Sequence, residues 1–309
     1  MKLIEPSVEI LEQSSGLDGI YKQIEIAGRT CYKSEENITE DSAKGFVDRM
    51  IKSGHGAMLE HGTVYLTYRI DYNSNPLSNG YDENREREVK SFINKYYSNK
   101  YSKVNHYNIH YANYIAITTN YRVLVENNWL DDLQYLCEPT EYHEKRITVK
   151  FICDRGVSHE LVSHRVFSFA QESTRYCNYS KDKFGNELTF IIPSWFKTLK
   201  EASDEILLQT YSKERVEKGM NRYYAIDNCE NEWIISLLDQ EVVYISLIDN
   251  GWTPQQARAI LPNSLKTEIV MTGFESDWEG FFKLRCDKAA HPDMQVLANK
   301  LKGLMNEEK

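Results

Sequence analysis

Two stretches of strict alternation set the first limit on what this chain can fold into. In "TVYLTYRI" the residues Val64, Leu66, Tyr68 and Ile70 alternate with Thr63, Tyr65, Thr67 and Arg69, and in "ITVKFIC" the residues Ile147, Val149, Phe151 and Cys153 share one parity. A period of two sends side chains to opposite faces of a strand, so each stretch is a strand that needs a neighbour beside it and a cover above it. "LTFII", closed by Pro193, and "KTEIVMTG" are further candidate strands.

Helical spacing fills the remainder. "SAKGFVDRMIKS" reads as a helix that leads through a glycine-containing turn into the first strand. In "EWIISLLDQEVVYISLIDNGW" the residues Ile234, Leu237, Leu238, Ile245 and Ile248 form one apolar stripe, which Asn250 and Gly251 close as a C-cap. Thr253, Pro254 and Gln256 then make an N-cap, a first helical position and a capping box for a short helix that displays Arg258. A second capping box, Ser276 with Glu279, is expected to open a long final helix that carries Arg285 and is kinked at Pro292. Between the first two strands, "DYNSNPLSNGYDENREREVK" reads as a turn and a solvated charged helix, and "ITTNYRVLVENNWLDDLQYL" as a helix-like return. The expectation is one domain over residues 1–309, with an insertion at about 72–146.

Composition removes several classes of function. The chain has 309 residues and a formal net charge of -9, which argues against a nucleic-acid binder, since phosphate-backbone affinity comes from excess Lys and Arg. No apolar run is long enough for a membrane span, and "MKLIEPSVEILEQSSG" lacks the basic lead and apolar centre of a signal peptide, so a cytoplasmic protein is expected. Six cysteines lie far apart without CxxC pairs, which reads as reduced thiols. His55, Glu60 and His61 could hold zinc, but their spacing is not that of HExxH and Gly56 disfavours a helix there, so no metal is expected. His291 and the glutamates near 82–88 read as solvated surface.

In an acidic chain an anionic ligand must meet a local cluster of cations, and "SHRVFSFAQESTRY" (163–176) supplies one. Guanidiniums offer a planar fork of donors and serines add short-range ones, a combination suited to phosphate. The same stretch also reads as a turn between the helix "VSHELVS" and a surface loop, with its charges solvated.

The order of residues in it resembles the signature of the flavin-dependent thymidylate synthases, RHRxxSx, three variable positions, then SxRY. His164, Arg165, Ser168, Ser173, Arg175 and Tyr176 match; Ser163 stands at the family's first arginine and Ala170 where asparagine is common. "HGAMLEH" (55–61) resembles the family's histidine- and glutamate-bearing turn before the first strand. "ARAILPNSLKTE" resembles the helix that gives a nucleotide-binding arginine, here Arg258, and "WEGFFKLR" the last helix, with Arg285. "AGRTCY" resembles the end of the N-terminal helix, with Cys31 at a usual serine.

The resemblance implies an α/β fold, a mixed and largely antiparallel sheet flanked by helices, forming a single catalytic domain that assembles as a homotetramer. It implies reductive methylation of dUMP to dTMP, with methylenetetrahydrofolate as the carbon source and co-substrate, FAD as cofactor and NADPH as reductant. Arg285 is implied as the catalytic group that stabilises the ionised uracil. Glu160, Gln171, Ser173, Arg175, Arg258 and Arg285 are implied to bind nucleotide, and His55, Glu60, Ser163, His164 and Arg165 to bind flavin. Phe274, Ser276 and Gly280 stand where the family usually has polar flavin contacts, so FAD is expected to bind loosely, with Phe274 stacking on one of its rings. Two other readings stay open: a pyrimidine-nucleotide-binding relative with weakened or lost flavin binding, and a metal-dependent hydrolase built on His55 and His61.

Overall fold

The computed structural model describes residues 1–70, 83–109, 112–181, 184–197 and 228–307. Its strands are β1 (Lys2–Ile4), β2 (Ser7–Leu11), β3 (Thr63–Ile70), β4 (Lys103–Ile109), β5 (Ala112–Asn120), β6 (Arg146–Asp154), β7 (Ser168–Gln171), β8 (Thr189–Ile191) and β9 (Lys266–Phe274). Its helices are α1 (Gly16–Tyr32), α2 (Ser42–Ser53), α3 (Gly56–Leu59), α4 (Glu83–Tyr97), α5 (Tyr121–Glu126), α6 (Arg155–Leu161), α7 (Asn228–Asp249), α8 (Pro254–Ala257), α9 (Glu275–Arg285) and α10 (Pro292–Glu307). The fold is α/β. Strands pair in the orders β2-β6-β9-β7 and β3-β5-β4, both fully antiparallel, and β1 lies parallel to β8.

Strand β9 is covered on both faces, which is why its sequence is nearly continuously apolar rather than alternating. Ile269 and Met271 pack with Val149 and Phe151 of β6 against Trp278 and Phe281 of α9 and Met294, Leu297 and Leu301 of α10. Between them, Val270 meets Ala27 of α1 and Ala170 of β7. The alanine at 170 therefore lies in an apolar contact with a helix, at 1% exposure, where a longer polar side chain would need space and a partner. Higher up α1, Ile20 and Ile24 enter a second core with Phe46 and Val47 of α2, Val64 and Leu66 of β3, and Ile115 and Ile117 of β5. One helix thus serves both sheets.

The elements from α4 to β5 belong to that second core. β3 pairs with β5 over its whole length, Leu66 opposite Ile117, and β4 extends the sheet. Residues 117–120, expected as the start of a helix, are instead the end of strand β5, because Ile115 and Ile117 pack inward while β-branched Thr118 and Thr119 suit the pleat. Helix starts only at Tyr121, where the Asn120 side chain accepts from the Val123 amide at 3.1 Å. Helix α4 is not simply solvated: Val89, Ile93 and Tyr96, spaced four and three apart, are buried against the second core, and Tyr96 donates to Asp132 Oδ2 at 2.5 Å. The turn expected at 71–80 lies outside the described residues.

Two further expectations change at the C-terminal end. Helix α9 begins at Glu275, with Asp277 accepting from the Phe274 amide at 3.2 Å in place of the Ser276 and Glu279 pairing. Pro292 does not kink a long helix; it starts a separate one, the position where its missing N–H costs nothing. The Gln256 side chain accepts from the Thr253 amide at 2.9 Å, and Gly251 ends α7 at a φ of +92°, as the sequence indicates.

Candidate active site

The opening polar stretch of the signature contains a strand. Ser168–Gln171 forms β7 on the edge of β9, with Ser168 opposite Thr272 and Gln171 opposite Ile269. Just before it, Asp154 caps α6 by accepting from the Val157 amide at 2.7 Å, and the helix carries Glu160 in its last turn. The chain then runs through Ser163 and His164 towards β7.

Arg285, the last residue of α9, closes onto this exit. Its Nη1 donates to Glu160 Oε2 at 2.5 Å, its Nη2 to the Glu160 carbonyl at 2.8 Å and to Ser163 Oγ at 3.0 Å, and its Nε to His164 Nε2 at 2.9 Å. The Ser163 hydroxyl itself donates to the Glu160 carbonyl at 2.6 Å. Since Arg has donors only, His164 Nε2 must be the acceptor and the ring carries its hydrogen on Nδ1. Burial and the Arg285 charge push the His164 pKa down to about 4, so the ring is neutral at physiological pH. Four residues assigned by resemblance, Glu160, Ser163, His164 and Arg285, are thus joined in one hydrogen-bonded cluster.

A second cluster forms after β7. The Ser173 amide donates to the Cys31 carbonyl at the end of α1 at 3.0 Å, and the Ser173 hydroxyl accepts from the Arg175 amide at 3.4 Å. Arg258 reaches the same turn, its Nη1 donating to Thr174 Oγ1 at 3.5 Å. Arg175 is exposed, with its guanidinium carbon 5.2 Å from the centre of the Tyr176 ring. Gln171 links the turn's strand to α6 by donating to Ser158 Oγ at 2.8 Å and to Thr267 Oγ1 at 3.2 Å.

Behind this turn lies a network of charges that has no signature in sequence. Glu268 pairs with Lys33, Lys150 and Lys266; Lys266 also binds Glu172 at 2.9 Å, and the Tyr179 hydroxyl donates to Glu172 at 3.0 Å. Burial alone would raise the Glu268 carboxyl, but Lys266 and Lys33 outweigh it and bring the pKa to about 2.

The residues on the turn around α3 go elsewhere. His55 is exposed, with Nδ1 3.1 Å from the Tyr32 hydroxyl, and the Tyr32 ring lies 5.4 Å from that of Tyr176. His55 therefore adjoins the Arg175 turn. Glu60 accepts from Arg122 Nη1 at 2.5 Å, while its carbonyl accepts from Arg146 Nη1 at 3.0 Å. His61 is fully buried with Nδ1 2.8 Å from Thr272 Oγ1, and burial, helped by Arg146, lowers its pKa to about 3. His55, Glu60 and His61 do not converge, and no group of three His, Cys, Asp or Glu among the described residues could hold a metal ion. Arg146, at the start of β6, was invisible as a site residue; burial lowers its pKa to about 10.

Arg165 is exposed, next to the exposed Val166. Phe274, the last residue of β9, is buried at 8% exposure beneath two cations, Lys103 at 5.3 Å and Arg146 at 5.7 Å from its ring centre. Ser276 is bound to Glu144, and a side chain at Gly280 would meet open space. A cavity of about 500 Å³ opens beside Glu160, walled by Trp195, Phe196, Trp233 and His291. His291 lies edge-on to Trp195 at 5.6 Å. Among the described residues no helix is long and apolar enough to cross a membrane.

Comparison with known proteins adds a family. Residues 138–308 match the family described as thymidylate synthase complementing protein. Curated relatives named flavin-dependent thymidylate synthase include one from Pyrococcus horikoshii, 30% identical over 149 residues, covering 48% of this chain and 49% of the relative. Another, from Geobacter sulfurreducens, is 27% identical over 144 residues, covering 47% of this chain and 49% of the relative. The chain spans about half the length of the curated relatives it matches. A UMP/dUMP methylase, PolB from Streptomyces cacaoi, solved with 5-Br dUMP, superposes with a TM-score of 0.41 at 14% identity, covering 99% of this chain and 93% of that one.

Proposed function

Because this chain belongs to the thymidylate synthase complementing protein family, we propose that it is a flavin-dependent thymidylate synthase, converting dUMP to dTMP. Methylenetetrahydrofolate is the carbon donor, NADPH the reductant and FAD the cofactor in this reading, and the working form is a homotetramer in the cytoplasm. The observation that carries it is the pair of arginine clusters flanking β7: Arg285 with Glu160, Ser163 and His164 on one side, Arg258 and Arg175 at the Ser173 turn on the other.

The residues suit the steps assigned to them. A nucleoside monophosphate is close to a dianion, and Arg175, Arg258 and the Ser173 hydroxyl supply charge-assisted donors from two separate segments. Arg285 stabilises the uracil ring as N3 loses its proton, which makes C5 nucleophilic without a cysteine from the protein. Neutral His164 fixes the Arg285 Nε and leaves the guanidinium charge undiluted by a second cation. Gln171 and Glu160 border the nucleotide.

For flavin, the donors fit on one side. Exposed Arg165 offers a cation for a diphosphate, and His55 with the Tyr32 and Tyr176 rings offers a polar and aromatic edge. When bound, the flavin supplies a hydride. His55 and the 163–165 segment belong to different clusters of one chain, which suits a pocket completed by a second subunit. The end of β9 and helix α9 contribute little: Phe274 is engaged by Lys103 and Arg146 rather than free to stack, Ser276 is held by Glu144, and Gly280 has no side chain. That observation favours, as the second reading, a pyrimidine-nucleotide-binding relative with weakened or lost flavin binding.

Absorbance spectra of purified protein before and after added FAD and dialysis, with a dTMP-formation assay, separate the two. Flavin bands and dTMP production support the synthase. A colourless protein that binds dUMP and forms no dTMP with FAD present supports the relative, and absence of dUMP binding removes both.

A further inference from the structure

We propose that the Glu160 carboxylate is an internal anion for Arg285: it neutralises the guanidinium at Nη1 in the free protein, and dUMP, with its uracil at Arg285 and its phosphate at Arg175 and Arg258, displaces it. This rests on the nucleotide reading above.

A guanidinium has five N–H donors. In Arg285 one is used by His164, one by the Glu160 carboxylate, and two on Nη2 by the Glu160 carbonyl and Ser163 Oγ. A substrate anion therefore meets a cation already neutralised by a carboxylate 2.5 Å away. The contacts divide by kind. His164, the Ser163 hydroxyl and the Glu160 carbonyl are neutral and hold the guanidinium in place; the carboxylate alone carries the competing charge. It also has somewhere to go. The Glu160 side chain is one-third exposed and lines the cavity of about 500 Å³ walled by Trp195 and Trp233, whereas the Arg285 side chain is only 12% exposed. Removal of the carboxylate from the fork thus leaves Arg285 held by three neutral partners and open on Nη1. Glu160 is in this sense a positioning residue that sets how readily the site accepts negative charge, and Ser163 is one of the three neutral partners that keep Arg285 in place when the carboxylate leaves.

Glu160→Gln keeps an oxygen for Nη1 and removes the charge. Calorimetric titration should show dUMP binding about threefold to tenfold tighter than in wild type, the size expected for loss of one partly exposed like charge. A merely structural role for Glu160 would weaken binding or leave it unchanged, and either result at an unaltered melting temperature overturns the proposal. Labelling with phenylglyoxal followed by peptide mass spectrometry gives a second readout that needs no nucleotide. Arg285 should be modified severalfold faster in the variant than in wild type, and an unchanged rate overturns the proposal. If neither protein binds dUMP, the nucleotide reading falls, while the labelling rates still decide whether Glu160 occupies the fork.

Discussion

Arg285 and the arginines of the Ser173 turn differ in how they are held. Arg285 meets three residues through four hydrogen bonds and is nearly buried. Arg258 touches the turn through a single contact at 3.5 Å, and exposed Arg175 rests on an aromatic ring. A charge that must meet an anion developing during reaction gains from being fixed beforehand, because no reorganisation is then needed when the anion forms. A charge that only gathers a phosphate can remain adaptable. On the proposed reading, the contrast separates a guanidinium built for turnover from two that serve affinity.

The largest test of that contrast is Arg285→Ala. Turnover should fall by roughly a hundredfold to a thousandfold, as for loss of one preorganised charged donor, with dUMP affinity changed far less. Stopped assays at saturating dUMP paired with calorimetry check it; equal losses in both would erase the distinction. Next come Arg175→Ala and Arg258→Ala, each expected to weaken dUMP binding by about 1.5–3 kcal/mol. At saturating nucleotide these variants should turn over nearly normally, and wild-type affinity in both would remove the phosphate assignment.

Ser163→Arg sharpens the comparison at a residue where the chain leaves its family's pattern. Restoring arginine adds a cation for flavin, but it removes the hydroxyl that binds Arg285 Nη2 and sets a second guanidinium beside the first. Flavin titration should show tighter FAD, while turnover drops about tenfold, close to 1.4 kcal/mol of lost positioning. Wild-type turnover in this variant would show that Arg285 does not depend on the hydroxyl.

The smallest effect is a pH dependence. His164 has a pKa near 6.5 when unfolded and about 4 when folded, so the unfolded chain takes up the proton first as pH falls. Its contribution to stability is complete above about pH 6.5 and is lost as pH drops towards 4. His164→Gln keeps an acceptor for Arg285 and does not titrate. Melting curves across that window should show wild type losing a few degrees more than the variant. Parallel curves would place the His164 ring in solvent.

Most of the scaffold was legible. Val149, Phe151 and Cys153 alternate because one face of β6 meets α9 and α10, and that periodicity is written in the sequence. β7 was not, because it begins and ends in the polar residues Ser168 and Gln171, and the Gln171 side chain is satisfied by partners on other elements. β5 was missed for a related reason: both of its faces are buried near its end, so alternation fades and Thr118 to Tyr121 reads as a helix start. In the site, the order of residues identified Arg285 and the Ser173 turn as candidates, but it held no trace of Lys33 with Glu268, or of Glu60 with Arg122. Those pairs join residues that lie far apart in the chain, and a charged residue in sequence does not announce its counter-ion. The same limit hid the apolar face of α4 behind its glutamates and arginines.

The Glu268 network has a consequence for ionic strength. Its carboxylate and the Glu172 side chain are buried, at 6% and 3% exposure, so added salt screens their pairing with Lys33 and Lys266 only weakly. On the proposed reading, the attraction between a nucleotide and exposed Arg175 is screened far more. Raising salt therefore strips electrostatic pull from the mouth of the site while the ledge carrying Ser173 keeps its shape, so nucleotide should be lost from a turn that is still folded to receive it.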